Sequence, residues 1–274
     1  MTIKMVVTDM DGTFLNAENT YEHDHFKRLF QKMTKSGIKF VAASGSQYQR
    51  LQNQFAEVAT QMDFVSQNGA IVHSGNDLVS VDKLSDADLA TILRILAERF
   101  EPGAIMQQTI SGLRRTYVDA TTPKEVVDVV KRYYSEIELV PDLPHLSSER
   151  VHDAITKVGV TFGMGGNFVH QAQTLRAALP KTVASQNSGF QTELIGNAGI
   201  DKVTGIKQLQ ERYGIATDEI ATFGDNENDL AMLKMTPYGF AMQNAAPEFK
   251  QQVKNVTVAD NNHNGVLKTI EAIL

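Results

Sequence analysis

The chain has 274 residues, 42% hydrophobic and 21% charged, which suits a globular protein with a sizeable core and leaves room for two domains. Its formal charge of -6 argues against nucleic acid as a partner, because phosphate-backbone binding draws on clustered Lys and Arg. The absence of Cys excludes disulfides, thiolate zinc sites and cysteine nucleophiles, and no apolar stretch approaches the roughly 20 residues that span a bilayer, so neither secretion nor a membrane is expected and the cytoplasm is the simplest location.

Ile3 to Thr8 reads as a short apolar strand. Too few apolar residues precede Asp9 for the start to be a signal peptide. A helix follows around His25 to Ser36, with Phe26, Leu29, Phe30 and Met33 at helical spacing and a stop at Gly37. Ile38 to Ala43 is a second strand, Tyr48 to Ala59 a helix, and Phe64-Val65-Ser66 a third strand leading to a turn at Asn68-Gly69. Short apolar strands alternating with amphipathic helices predict a parallel sheet covered on both faces.

From about Val81 the texture changes. Ser85 and Asp88 resemble a helix start, and Leu89, Ile92, Leu93 and Leu96 continue one apolar face. Candidate strands at Ala104 to Ile110, Arg114 to Val118, Ile137 to Val140, Ala154 to Phe162 and Thr182 to Gln186, with a helix from Pro123 to about Tyr134, make a mixed α+β block. Gly163-Met164-Gly165-Gly166 lacks the Lys-Ser/Thr of a P-loop and reads as a turn. After Phe190 to Ile195 the alternation resumes: helix Lys202 to Tyr213, strand Ile220 to Phe223, helix Asn228 to Lys234, strand Tyr238 to Ala241, helix Pro247 to Gln252 and a last helix from Gly265. The chain is expected to leave one domain, build another and return, with core at 1–82 and 189–274 and an insert at 83–188.

Four strand or helix ends carry chemistry. The first strand ends in Asp9-Met10-Asp11-Gly12-Thr13, where two carboxylates one residue apart repel unless a cation or hydrogen-bond donors compensate. Magnesium, which favours hard oxygen ligands, would do so. A solvated turn is the plain alternative; an EF-hand fails because its first ligand would fall on Val7. Thr222-Phe223-Gly224-Asp225-Asn226-Glu227-Asn228-Asp229 again delivers acids from a strand to a helix start, of which capping explains only one. If the sheet brings Asp225 beside Asp9, the two loops complete an oxygen site. Ser44-Gly45-Ser46 offers a hydroxyl and backbone amides that suit an anion. Lys202 stands near a helix N-terminus, where a cation gains nothing from the dipole, so an anionic partner would justify it.

The set Asp9-x-Asp11-Gly-Thr, Ser44-Gly45, Lys202 and Gly-Asp225-x-x-Asn228-Asp229, in this order, resembles the haloacid dehalogenase superfamily, specifically Cof-type phosphatases with a large cap. Ala42 to Tyr48 and Gln67 to Ala70 are most similar to the sugar-phosphatase branch. The resemblance implies an α/β fold, with a Rossmann-like parallel-sheet core and an inserted α+β cap. It implies a Mg²⁺-dependent phosphatase acting on small phosphorylated metabolites through an aspartyl-phosphate. By position Asp9 is the nucleophile and Asp11 the general acid and base; Asp9, the Asp11 backbone carbonyl and Asp225 hold the metal; Ser44, Gly45, Lys202 and Asn228 bind the phosphoryl group; Asp229 orients Lys202 or a metal-bound water. Many relatives carry Thr-Gly-Arg where this chain has Ser44-Gly45-Ser46, and loss of that Arg weakens the case for a substrate with a second phosphate.

A phosphomutase would use the same core chemistry, and a non-catalytic module could sense a phosphorylated metabolite with the same pocket. His23, His25 and His263 read as surface groups and the Met residues as core filler. A monomer or small homo-oligomer is expected.

Overall fold

The computed structural model describes residues 2–163, 165–189 and 191–274. The expectations placed on Met1, on Met164 in the glycine-rich turn and on Phe190 as a strand start lie outside the described residues.

Two sheets organise the molecule. The first runs β1 (Met5–Thr8), β2 (Lys39–Ala43), β3 (Asp63–Ser66), β4 (Ile71–Ser74) and β5 (Asp77–Val81) in the first third of the chain. The second is built from β6 (Ile105–Gly112), β7 (Thr116–Asp119), β8 (Ile137–Val140), β9 (Ile155–Phe162), β10 (Val183–Asn187) and β11 (Thr192–Asn197). The chain then returns to the first sheet with β12 (Ile220–Gly224), β13 (Tyr238–Ala241) and β14 (Asn255–Val256).

The first sheet has the order β14-β13-β12-β1-β2-β3-β4-β5, parallel from β14 to β3 and antiparallel through β4 and β5. Strand β1 is buried at every position because helices cover both of its faces. Helix His23–Lys35 turns Phe26, Leu29, Phe30 and Met33 inward, the spacing of one helical face. Phe26 meets Phe14, Phe40 and Phe55 with ring centroids 5.0 to 5.3 Å apart, and each buried ring contributes about 1.5–3 kcal/mol. The antiparallel β4–β5 edge was not expected from the sequence.

The second sheet has the order β10-β11-β9-β6-β7-β8. Helix Asp86–Arg99, started by the Ser85 side chain accepting from the Asp88 amide, packs Leu89, Ile92, Leu93 and Leu96 into a core of its own with Ile110, Val158, Phe162 and Ile195. One expectation needs correction. Residues up to Ile195 were read as the first strand of the returning core, but β11 pairs antiparallel with β10 and β9 in the second sheet, past the break expected at 188. Strands β10 and β11 are antiparallel neighbours close in sequence, a pairing that strand periodicity alone does not distinguish from a crossover. A further helix, Phe168–Ala178, capped by Asn167, was missed, and the helix expected to reach Tyr134 ends at Val130.

Candidate active site

Register brings the acids together. Strand β1 lies between β2 and β12 with Thr8 opposite Phe223, so the loops that leave β1 and β12 start side by side at the carboxyl ends of the strands. The Asp9 amide donates to the Phe223 carbonyl at 2.9 Å, which ties the two loops. Gly12 lets the first loop turn back against the second: its φ is +81°, and a Cβ there would stand 2.7 Å from Asp225 Oδ2. Thr13 Oγ1 donates to Asp225 Oδ1 at 2.6 Å.

Lys202 stands in the first turn of helix Lys202–Tyr213, whose start is fixed by a reciprocal cap between Asp201 and Thr204. Its Nζ, 1% exposed with the rest of the side chain, lies 2.5 Å from Asp9 Oδ1 and 2.6 Å from Asp229 Oδ1. Asp229 Oδ2 accepts from the amides of Asp225 and Asn226 at 3.0 and 3.1 Å. Both Asp229 oxygens are therefore engaged in shaping the loop and holding the lysine. Ligand oxygens of Asp9, Asp225 and Asp229 lie within 4.8 Å of one another.

That cluster sets three carboxylates against one ammonium. Burial pushes the Asp9 carboxyl well above its ordinary range, and the Asp229 charge adds to it while Lys202 opposes it. Burial and Asp229 likewise push Asp225 up to about 7. Burial alone would lower Lys202, but the charges of Asp229 and Asp9 hold it above its ordinary value. An all-oxygen donor set short of positive charge fits a hard divalent cation. Asp9 Oδ2 and Asp225 Oδ2 have no hydrogen-bond donor among the described residues and are the oxygens free to hold it.

Asp11 stands apart from this cluster. Its carboxylate takes both terminal nitrogens of Arg50, each at 2.7 Å, and Arg50 also donates to Ser46 Oγ at 2.6 Å. Arg50 lies on helix Tyr48–Gln54 and is 5% exposed. Ser44 leaves β2 with its amide on the Val65 carbonyl, and its Oγ accepts from the Ser46 amide at 3.0 Å, which leaves its hydroxyl proton available. Asn228 Nδ2 donates to Asn68 Oδ1 at 3.2 Å, and the Asn68 amide donates to the Ser44 carbonyl at 2.9 Å. The anticipated residues thus converge from four segments; Arg50 joins them without having been anticipated, and Thr13, named only as the end of the first motif, holds Asp225. No local pattern around Arg50 marks it; only the fold brings it to Asp11.

The second sheet covers the site from above. Lys157 of β9 donates to the Gly45 carbonyl, Gln47 accepts from the Ser135 and Glu136 amides at 3.1 and 3.0 Å, and Arg176 reaches Glu227 at 3.1 Å. Of the histidines read as surface groups, His23 and His263 are exposed, His263 against Asp260, while His25 is half-buried against Glu271.

A family model described as haloacid dehalogenase-like hydrolase matches residues 6–270. The chain belongs to that family. It is 32% identical over 276 residues to the Escherichia coli 5-amino-6-(5-phospho-D-ribitylamino)uracil phosphatase YbjI, covering 100% of this chain and 97% of the relative. It is 22% identical to a Methanopyrus kandleri phosphoglycolate phosphatase, covering 98% and 97%. The crystal structure of SMU.1108c from Streptococcus mutans superposes with a TM-score of 0.89 at 28% identity, covering 99% of both chains. The haloacid dehalogenase subclass IIB sugar phosphatase BT4131 shares the fold, with a TM-score of 0.80 at 18% identity over 98% of both chains. This haloacid dehalogenase-like hydrolase is a phosphatase, a phosphoric monoester hydrolase with a capped α/β core. Phosphatases of this superfamily generally use a divalent metal, and its buried acidic cluster is compatible with one. No helix among the described residues is long and apolar enough to cross a membrane.

Proposed function

We propose that the protein is a Mg²⁺-dependent phosphatase of small phosphorylated metabolites, foremost sugar and polyol phosphates, working in the cytoplasm through a phosphorylated Asp9. The observation that carries this reading is Lys202 Nζ lying between Asp9 and Asp229 inside an acidic cluster that Asp225 completes.

Lys202 holds Asp9 Oδ1 and so orients the carboxylate for attack on phosphorus. Lys202, the Ser44 hydroxyl, the Gly45 amide and the Asn228 amide would bind the phosphoryl oxygens and spread the charge of the transition state. Asp9, Asp225 and the Asp11 backbone carbonyl would hold Mg²⁺, which supplies positive charge to the phosphoryl oxygens and offsets repulsion between nucleophile and substrate. Asp11 gives a proton to the departing alcohol and takes one from the water that then attacks the phosphorylated Asp9. Arg50 fixes the Asp11 carboxylate for both half-reactions, and Asp229 positions Lys202. Cap contacts such as Gln47 to Glu136 keep bulk water out, and their release admits the hydrolytic water.

Sugar phosphates are supported by the motif around Ser44, and polyol phosphates by the E. coli relative, a phosphatase named for a substrate with a phosphorylated ribityl chain. A phosphate-release screen over sugar phosphates, ribityl and other polyol phosphates, phosphoglycolate and nucleotides, with Mg²⁺ present, tests the reading. Turnover of at least one class that vanishes in Asp9→Asn supports it. Release of phosphate by Asp9→Asn at the wild-type rate refutes it, and transfer of the phosphoryl group to a second sugar hydroxyl without phosphate release makes the protein a mutase.

A further inference from the structure

Two lysines are buried at the junction of core and cap, and only one is neutralised. Lys202 meets two carboxylates. Lys157, on β9, is 2% exposed, and its Nζ bonds the Gly45 carbonyl and faces the Tyr134 ring, whose centroid lies 5.6 Å away. Both partners are uncharged, and among the described residues no carboxylate pairs with it. Burying an ammonium without a counter-ion is unfavourable, and burial accordingly pulls Lys157 below the ordinary lysine value.

The surroundings of Lys157 say where a counter-ion would come from. It lines a cleft of 80 Å³ between the two sheets, with Asn68 and Asp201 on the core side and Thr156, Gln186 and Asn197 on the cap side. Asp201 caps its own helix by accepting from the Thr204 amide at 2.9 Å and makes no ion pair with the lysine. Asp9, Asp225 and Lys202 do not line this cleft; it adjoins them through Asn68, which bonds Asn228, and through Asp201, the residue before Lys202. A substrate whose phosphoryl group sits at Asp9 would extend its alcohol portion into this adjoining cleft, which Lys157 lines.

We propose that Lys157 is a specificity-determining residue that pairs with an anionic oxygen on the leaving group, so that preferred substrates are phosphate monoesters whose alcohol carries a carboxylate or a second phosphate. This rests on the phosphatase reading above. It also revises the expectation drawn from Ser46: Arg50 sets a cation on the Ser46 hydroxyl but is paired with Asp11, whereas Lys157 reaches the Gly45 carbonyl with no carboxylate against it.

Three matched substrates test the proposal: fructose 6-phosphate with a neutral leaving group, 6-phosphogluconate with a carboxylate, and fructose 1,6-bisphosphate with a second phosphate. Wild-type kcat/KM should favour at least one anionic member over fructose 6-phosphate by about tenfold or more, and which one identifies the source of the charge. Lys157→Met should collapse that ratio to within about threefold of one, chiefly through KM, while Lys157→Arg should keep most of it. Equal wild-type kcat/KM across the three overturns the proposal even if the Met variant fails to fold, and so does a ratio that survives in Lys157→Met. Asp9→Asn separates the two readings. If it abolishes turnover while the ratio ignores Lys157, only this inference falls; if turnover persists, the phosphatase mechanism itself falls.

Discussion

Both terminal nitrogens of Arg50 lie 2.7 Å from the two carboxylate oxygens of Asp11, and the same guanidinium sits 5.4 Å from the ring centre of Tyr133 in the cap. A planar fork of this kind fixes a carboxylate in orientation as well as in charge. Arg50→Lys keeps the charge and loses the fork. Charge-assisted hydrogen bonds contribute about 1.5–3 kcal/mol, so kcat should fall about 10- to 100-fold with KM little changed. Steady-state kinetics on one substrate check this, and a kcat within about twofold of wild type would show that Asp11 is positioned without Arg50.

The acidic cluster should bind metal and lose function without it. A chelator should abolish phosphate release, and Mg²⁺ should restore it. Because the ion relieves repulsion present only in the folded cluster, Mg²⁺ at about 100 times its Kd should add about 2.7 kcal/mol of stability. Thermal melts with and without Mg²⁺ measure this independently of turnover. Asp225→Asn should lose most of the shift, and an unchanged shift in that variant would remove Asp225 from the metal site.

His73 gives a pH dependence that lies outside the reaction. Its ring stacks on Tyr48 with centroids 3.6 Å apart, and burial pulls its pKa down to about 4. The unfolded chain takes up that proton near pH ~6.5, so the folded state binds fewer protons between the two values. Stability from His73 is complete above that window and declines as pH falls through it, by at most about 2 kcal/mol once solvent screening is allowed for. Urea midpoints at about pH 7 and about pH 4.5 should differ less in His73→Phe than in wild type. An identical difference would show that the ring does not titrate as described.

Gly69→Ala should damage both stability and the site. The residue has φ +94°, and a Cβ would fall 1.9 Å from the Asp201 carbonyl, at the start of the helix that carries Lys202. Relief of that overlap must move either Asn68 or Lys202. A loss of at least about 2 kcal/mol in denaturant unfolding, with a raised KM, is expected. A neutral effect on both would mean that the contact yields freely.

Much of this was legible because local signals agreed with the tertiary arrangement. The β1 run into Asp9 and the β12 run into Asp225 each ended where a carboxylate could face a ligand, and parallel pairing with Thr8 opposite Phe223 did the rest. The β4–β5 edge went unseen because the chain between Ile71 and Val81 alternates only weakly around Gly75-Asn76. Strand β11 was placed in the core because its apolar residues suit either sheet, and only the antiparallel pairing with β10 decides between them. Arg50 and Lys157 were invisible for a related reason. Each is a cation on an ordinary helix or strand, and its meaning lies in what a distant segment sets against it.

The most direct test is to trap the phosphorylated enzyme. Wild-type protein mixed with substrate carrying a radiolabelled phosphoryl group in Mg²⁺, then quenched in acid within one turnover, should yield a labelled peptide containing Asp9, with label on the Asp9 carboxylate and none in Asp9→Asn. Turnover without any protein-bound label at times before product appears, or label carried by a different residue, would contradict the proposal that Asp9 is the nucleophile.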